Sequence, residues 1–163
     1  MDTVVGLLSD SHSRWERTKR ALEALRAAGA TVFVHCGDVE DELVIDQLAG
    51  LDSHLVWGNC DWNSQTLGRY ARDVGVTVHG DAGEVTVDGR RIVFTHGHEI
   101  AAMRAAVSGG ADYLVHGHTH ELRDERVGTT RVLNPGALHR APRFTVAALT
   151  PATGQLTVIE VPA

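Results

Sequence analysis

Cysteine, aromatic residues and positive charge are all in short supply in this chain, and none of its apolar runs is long. Cys36 and Cys60 are the only cysteines. They are too few for a disulfide framework and too far apart for a Cys-x-x-Cys metal hook, so they read as free, reduced thiols. Aromatic residues make up 5% of the 163 positions. Trp15, Trp57 and Trp62 are expected to pack in the core or in loops, since no basic groove accompanies them to form a base-stacking platform. Fifteen Lys and Arg against 21 Asp and Glu give a formal charge of −6, which argues against a broad nucleic-acid surface. No apolar stretch approaches the roughly 20 residues of a membrane helix, and the first residues lack a basic leader. A cytoplasmic protein without a membrane partner is the expectation. There is no repeat, low-complexity tract or linker, and the length suits one domain, 1–163.

What is present is an alternation of short apolar runs and helical patterns. Strands are expected over 3–9, 31–35 and 54–57, separated by helices over 15–28 and 40–49, each ended by a glycine. Asp88-Gly89 marks a hairpin between Val85–Val87 and Ile92–Phe94. An Ala-rich helix over 100–107 and a strand over 113–115 follow. From Arg123 onward the chain reads as strands, at 131–133, 144–149 and 156–161. This pattern is one α/β domain, parallel early and antiparallel late, with two sheets packed between helices.

Seven side chains suited to metal binding close these strands in order: Asp10, His12, Asp38, Asn59, His96, His118 and His120. In open α/β sheets, function gathers beyond the carboxyl ends of the strands. Asp10-x-His12 and His118-x-His120 each present two donors at a spacing that can face one ion. Gly37 lets the backbone turn tightly at Asp38, whose two oxygens could bridge two ions. Asn59 can coordinate without adding charge. Four imidazoles and three oxygen donors suit Mn, Fe, Co, Ni or Zn better than Ca. His35, His54, His79 and His139 are expected to be structural, His116 to pack beside the motif, and Arg14 to be a solvated surface residue.

Taken together, residues 9–120 and Asn134-Pro135-Gly136 resemble the calcineurin-like metallophosphoesterase superfamily, in particular its small single-domain bacterial and archaeal phosphodiesterases. The resemblance implies a four-layer αββα sandwich of two mixed sheets flanked by helices, with no cap domain. It also implies two divalent transition-metal ions, Mn foremost. Asp10, His12, Asp38 and His120 would hold one ion, and Asp38, Asn59, His96 and His118 the other. A metal-bridging hydroxide would then attack a small phosphodiester.

One position departs from the family pattern. Larger members carry His after the Gly-Asn pair, where this chain has Gly58-Asn59-Cys60-Asp61. A thiol is a poor proton donor to a leaving group, so His98 and Asp61 become the candidates for that role. Easily departing groups, as in aryl phosphodiesters or cyclic nucleotides, should be favoured. The competing readings are a phosphomonoesterase and a non-catalytic binding scaffold like the related retromer subunit. Small phosphoesters are the expected partners, nucleic acids beyond nucleotides are not, and a homo-oligomer is compatible.

Overall fold

The computed structural model describes residues 1–163. Strands β1 (Val4–Leu8), β2 (Ala30–His35), β3 (Asp52–Leu55) and β4 (Thr77–Val78) run parallel, joined by helices α1 (Trp15–Ala27), α2 (Glu42–Leu48) and α3 (Ser64–Asp73). The hairpin β5 (Ala82–Val87) and β6 (Arg90–Thr95) leads through α4 (Ile100–Ser108) to β7 (Tyr113–Val115). Strands β8 (Arg123–Val127), β9 (Thr130–Asn134), β10 (Phe144–Thr150) and β11 (Gln155–Val161) complete the chain. They form a six-stranded sheet, β11-β10-β1-β2-β3-β4, and a five-stranded sheet, β5-β6-β7-β9-β8.

Side-chain alternation along each strand sorts the layers. Val5 and Leu7 of β1, Val34 of β2, and Ala147 and Leu149 of β10 point inward to meet Ile92, Phe94, Tyr113, Val115 and Leu133 of the second sheet. The opposite faces of the first sheet, with Leu8, Phe33, Val146 and Ala148, pack beneath Leu22 and Leu25 of α1, Ile45 and Leu48 of α2, and Leu67 and Ala71 of α3. Leu114 and Val132 face outward from the second sheet toward Ala106 of α4. The result is helix, sheet, sheet, helix, as the αββα expectation had it. Truncating a core ring such as Phe94, fully buried between the sheets, would cost roughly 3–5 kcal/mol.

Several boundaries differ from the expected ones. The second helix begins at Glu42, because Asp41 caps it by accepting from the Val44 N–H at 3.2 Å. Glu40 lies outside the helix, with φ +70°. The third strand is Asp52–Leu55, shifted toward the N-terminus of the expected 54–57, and Val56 and Trp57 lead on into the Gly58 loop. Helix α3 had no counterpart in the sequence reading. The late part is only partly antiparallel: β6, β7 and β9 run parallel, and β5 and β8 form antiparallel edges. Trp62 does not pack as expected; it is 90% exposed.

Candidate metal centre

The parallel strands of both sheets end on one side, and the loops that follow them carry the candidate ligands. Asp10 follows β1, Asp38 follows β2, Asn59 follows β3, His96 follows β6, and His118 and His120 follow β7. These loops are sharply turned. Asp10, His12, Asp38, His118 and His120 all have positive φ, between +42° and +71°, a conformation costing roughly 1–2 kcal/mol for an L side chain. Backbone bonds hold the turns: Asp10 N–H donates to Gly37 O at 3.0 Å, His12 N–H to Asp38 O at 2.9 Å, and Leu138 N–H to Asp10 O at 3.2 Å. Two glycines permit the close approach. A Cβ at Gly58 would lie 2.0 Å from Asp38 Oδ1, and one at Gly117 would lie 2.0 Å from Ser9 Oγ and 2.5 Å from Asp10 Oδ2.

Each buried carboxylate has one oxygen anchored and one aimed inward. Asp10 Oδ2 accepts from Ser9 Oγ at 2.7 Å and His118 N–H at 3.1 Å. Its Oδ1 faces His120 Nε2 at 3.2 Å, His12 Nε2 at 3.6 Å and His96 Nε2 at 3.8 Å. Asp38 Oδ1 accepts from Cys60 N–H at 2.9 Å, while Oδ2 faces His96 Nε2 at 3.2 Å and His12 Nε2 at 3.4 Å.

The imidazoles are locked in the complementary sense. His12 Nδ1 donates to Glu40 Oε1 at 2.7 Å, His96 Nδ1 to Cys36 O at 2.7 Å, and His120 Nδ1 to Arg140 O at 3.2 Å. Three neutral rings so oriented would aim three Nε2 lone pairs at two carboxylates. Asp10 Oδ1 and His96 Nε2 are both buried without a hydrogen-bond partner, and His12 Nε2 lies 3.3 Å from His120 Nε2. Acceptors facing acceptors require positive charge between them, supplied either by protons or by cations.

The protonation equilibria carry that requirement. Burial pulls His12 down, but bonds to Asp10 and Glu40 outweigh it and raise its pKa to about 9. His96 is raised against burial by its bond to Asp38 and the charge of Asp10. His120 is raised by its bond to Asp10. Burial would raise Asp10, yet its imidazole partners hold the carboxyl far below the usual range. The donors fall into two overlapping metal-sized groups, Asp10 with His12 and His120, and Asp10 with Asp38 and His96. Two carboxylates and three imidazoles in this arrangement fit divalent transition metals.

The other candidates sit further out. His118 Nδ1 and Asn59 Oδ1 meet at 3.0 Å at the exposed mouth, with the His118 ring 5.2 Å from that of His96. His98 stands beside them, its ring centroid 5.4 Å from His96 and 6.1 Å from His118. Asp61 does not face the centre. Its Oδ2 accepts the N–H groups of Asp38 at 2.9 Å and Gly58 at 2.8 Å, and its Oδ1 those of Val39 and Glu40, both at 2.9 Å. Burial pushes its carboxyl up against the pull of these N–H groups. Even so, both oxygens are saturated by donors, and no lone pair remains to carry a proton to a leaving group.

Of the residues expected to be structural, His35 is a buried neutral ring, with burial lowering its pKa to about 4. Its Nδ1 accepts from Gly37 N–H and its Nε2 donates to Ser11 Oγ. His54 pairs with His79 at 2.9 Å, and His116 donates to Gly117 O. His139 comes closer than expected, its ring 5.2 Å from that of His12. Glu40, the carboxylate that orients His12, was not anticipated. The signal was its i, i+2 spacing from Asp38, which repeats that of Asp10 and His12.

Comparisons with known proteins point to one family. The family model described as the calcineurin-like phosphoesterase superfamily domain matches residues 4–154. The phosphodiesterase MJ0936 of Methanocaldococcus jannaschii is 29% identical, over 81% of this chain and 82% of its own length. The solved structure of an archaeal phosphodiesterase superposes with a TM-score of 0.87 at 25% identity, covering 97% of this chain and 99% of that one. The phosphoesterase YfcE of E. coli shares the fold, with a TM-score of 0.68 at 21% identity, over 98% of this chain and 100% of its own.

Proposed function

Because the chain belongs to the calcineurin-like phosphoesterase superfamily, we propose that it is a binuclear metal-dependent phosphodiesterase acting on small phosphodiesters. The observation that carries this reading is the set of three anchored imidazoles aimed at two buried carboxylates, with Asp10 Oδ1 and His96 Nε2 left unpartnered. Asp10, His12, Asp38 and His120 are the proposed ligands of one ion, and Asp38, Asn59, His96 and His118 those of the other. Mn is the proposed metal. Such ions would supply Lewis acidity toward the phosphate oxygens and make water nucleophilic near neutral pH.

The protein's own groups do the rest. Asp38 Oδ2, between His12 and His96, is placed to serve both ions. His98 at the rim is the proposed contact for the departing group. Cys60 offers no imidazolium for it, so substrates with good leaving groups are favoured. Residues 1–163 act as one domain without a cap. No helix is long and apolar enough to cross a membrane, and two free cysteines suit the reducing cytoplasm proposed as its location.

Mn-loaded protein should hydrolyse bis(p-nitrophenyl) phosphate faster than p-nitrophenyl phosphate. A faster monoester would make it a phosphomonoesterase. Tight metal binding without turnover on either substrate would make it a binding scaffold.

A further inference from the structure

His12 is two-faced. Its Nε2 looks into the centre, while its Nδ1 lies 2.7 Å from Glu40 Oε1 on the outer side. Cys60 Sγ forms a third group with these two residues: one donor atom each of His12, Glu40 and Cys60 lie within 4.8 Å of one another, all three residues are half-buried, and Asn59 Nδ2 donates to Cys60 Sγ at 3.6 Å. The backbone fixes them. Cys60 N–H donates to Asp38 Oδ1, and Glu40 N–H donates to Asp61 Oδ1. Cys60 follows the Gly58-Asn59 pair and presents a sulfur there.

We propose that His12, Glu40 and Cys60 form a separate rim site for a thiophilic divalent ion such as Zn or Cd, whose occupancy removes His12 from the inner centre and so inhibits the enzyme. The inhibitory part rests on the reading of His12 as a ligand of the catalytic ions. Thiolate, imidazole and carboxylate are each zinc ligands, whereas Mn prefers oxygen and nitrogen donors to sulfur. With zinc bonds of roughly 2.0–2.3 Å, the Nδ1–Oε1 separation must open by less than about 1 Å to admit the ion.

A neutral imidazole has a single lone pair. With the proton on Nδ1, donated to Glu40, the Nε2 lone pair serves the inner ions. An ion on Nδ1 drives that proton to Nε2, which then cannot ligate. The Cys60 S–H bond breaks, its proton passes to solvent and a sulfur–metal bond forms, with no change in the oxidation state of the metal. As long as the ring stays neutral, the two uses of His12 exclude each other.

Co titrated into the protein should give a sulfur-to-cobalt charge-transfer band in the near ultraviolet, absent from Cys60→Ser. Zn or Cd, but not Mn, should slow alkylation of Cys60 roughly tenfold or more, and Glu40→Gln should relax that protection by a similar factor. Cys36 is fully buried and contributes no competing signal. Zn should suppress Mn-supported diester hydrolysis in the wild type at concentrations that spare Cys60→Ser. A missing band despite bound Co, or equal alkylation rates with and without Zn, overturns the rim site. Failure of the Mn enzyme to hydrolyse diesters would instead sink the phosphodiesterase reading, leaving the spectroscopic and alkylation results to judge the rim site.

Discussion

Replacing Asp61 by Asn separates a backbone anchor from a proton donor. The carboxylate accepts four backbone N–H groups, two on each oxygen, and is only 6% exposed. Asparagine keeps one oxygen and puts an NH2 group where the other was. Whichever way the amide turns, two N–H donors lose their acceptor and face a donor instead. At roughly 1–3 kcal/mol per unsatisfied buried group, the loss is about 2–6 kcal/mol. That is a large share of the roughly 5–15 kcal/mol that holds a typical domain folded. In a chain of this size each kcal/mol is worth roughly 2–4 °C, so the melting temperature of the metal-free protein should fall by about 10 °C. Mn affinity should fall as well, by roughly tenfold, because the Asp38 and Glu40 backbones would drift. Thermal unfolding by circular dichroism and calorimetric Mn titration measure the two effects. A destabilisation below about 0.5 kcal/mol, the range of ordinary surface changes, would refute the anchoring role. So would a rate loss confined to substrates with poor leaving groups, which is the signature of a general acid.

Other perturbations have equally definite outcomes. Gly58→Ala would drive a methyl group into Asp38 Oδ1 and should abolish binding of at least one Mn ion by calorimetry, although the side chain gained is only a methyl. Asp38→Ala should remove both ions and nearly all diester turnover; retention of two ions by elemental analysis would exclude Asp38 as the shared ligand. The pH dependence of stability above pH 6.5 should flatten on metal loading. Without metal, His12, raised from 6.5 to about 9 chiefly by Asp10 and Glu40 against burial, stabilises the fold fully below pH 6.5, and that contribution is lost as pH rises through about 9. With Mn the ion replaces the proton, so the His12 contribution should climb only as pH rises through the unfolded value of 6.5 and stay level from there to about 9; parallel melting curves for both forms would contradict this.

Much of the candidate centre was legible because its proposed ligands follow apolar strands, and strand ends are the easiest landmarks in an α/β sequence. Asp10, Asp38 and His96 needed only the run before each of them. Glu40 was harder to read: acidic residues are welcome in a first helical turn, and only the cap at Asp41 shows that the helix starts later. Asp61 looked like chemistry because its partners are main-chain N–H groups, which no pattern of side chains reports. Helix α3 escaped notice because it buries only Leu67, Gly68 and Ala71, too sparse a stripe to announce a helical period. Strand β3 opens on Asp52 and Ser53, polar residues that masked its true start.

The division of the proposed ligands between the sheets has a further consequence. Asp10, His12 and Asp38 come from the first sheet, and His96 and His120 from the second. An ion gripped by both is therefore a rivet through two layers, and it cannot be set while only one exists. On the ribosome, the early carboxylates emerge long before the imidazoles that complete their cage. Capture of a cation by the whole proposed set must then await the second layer.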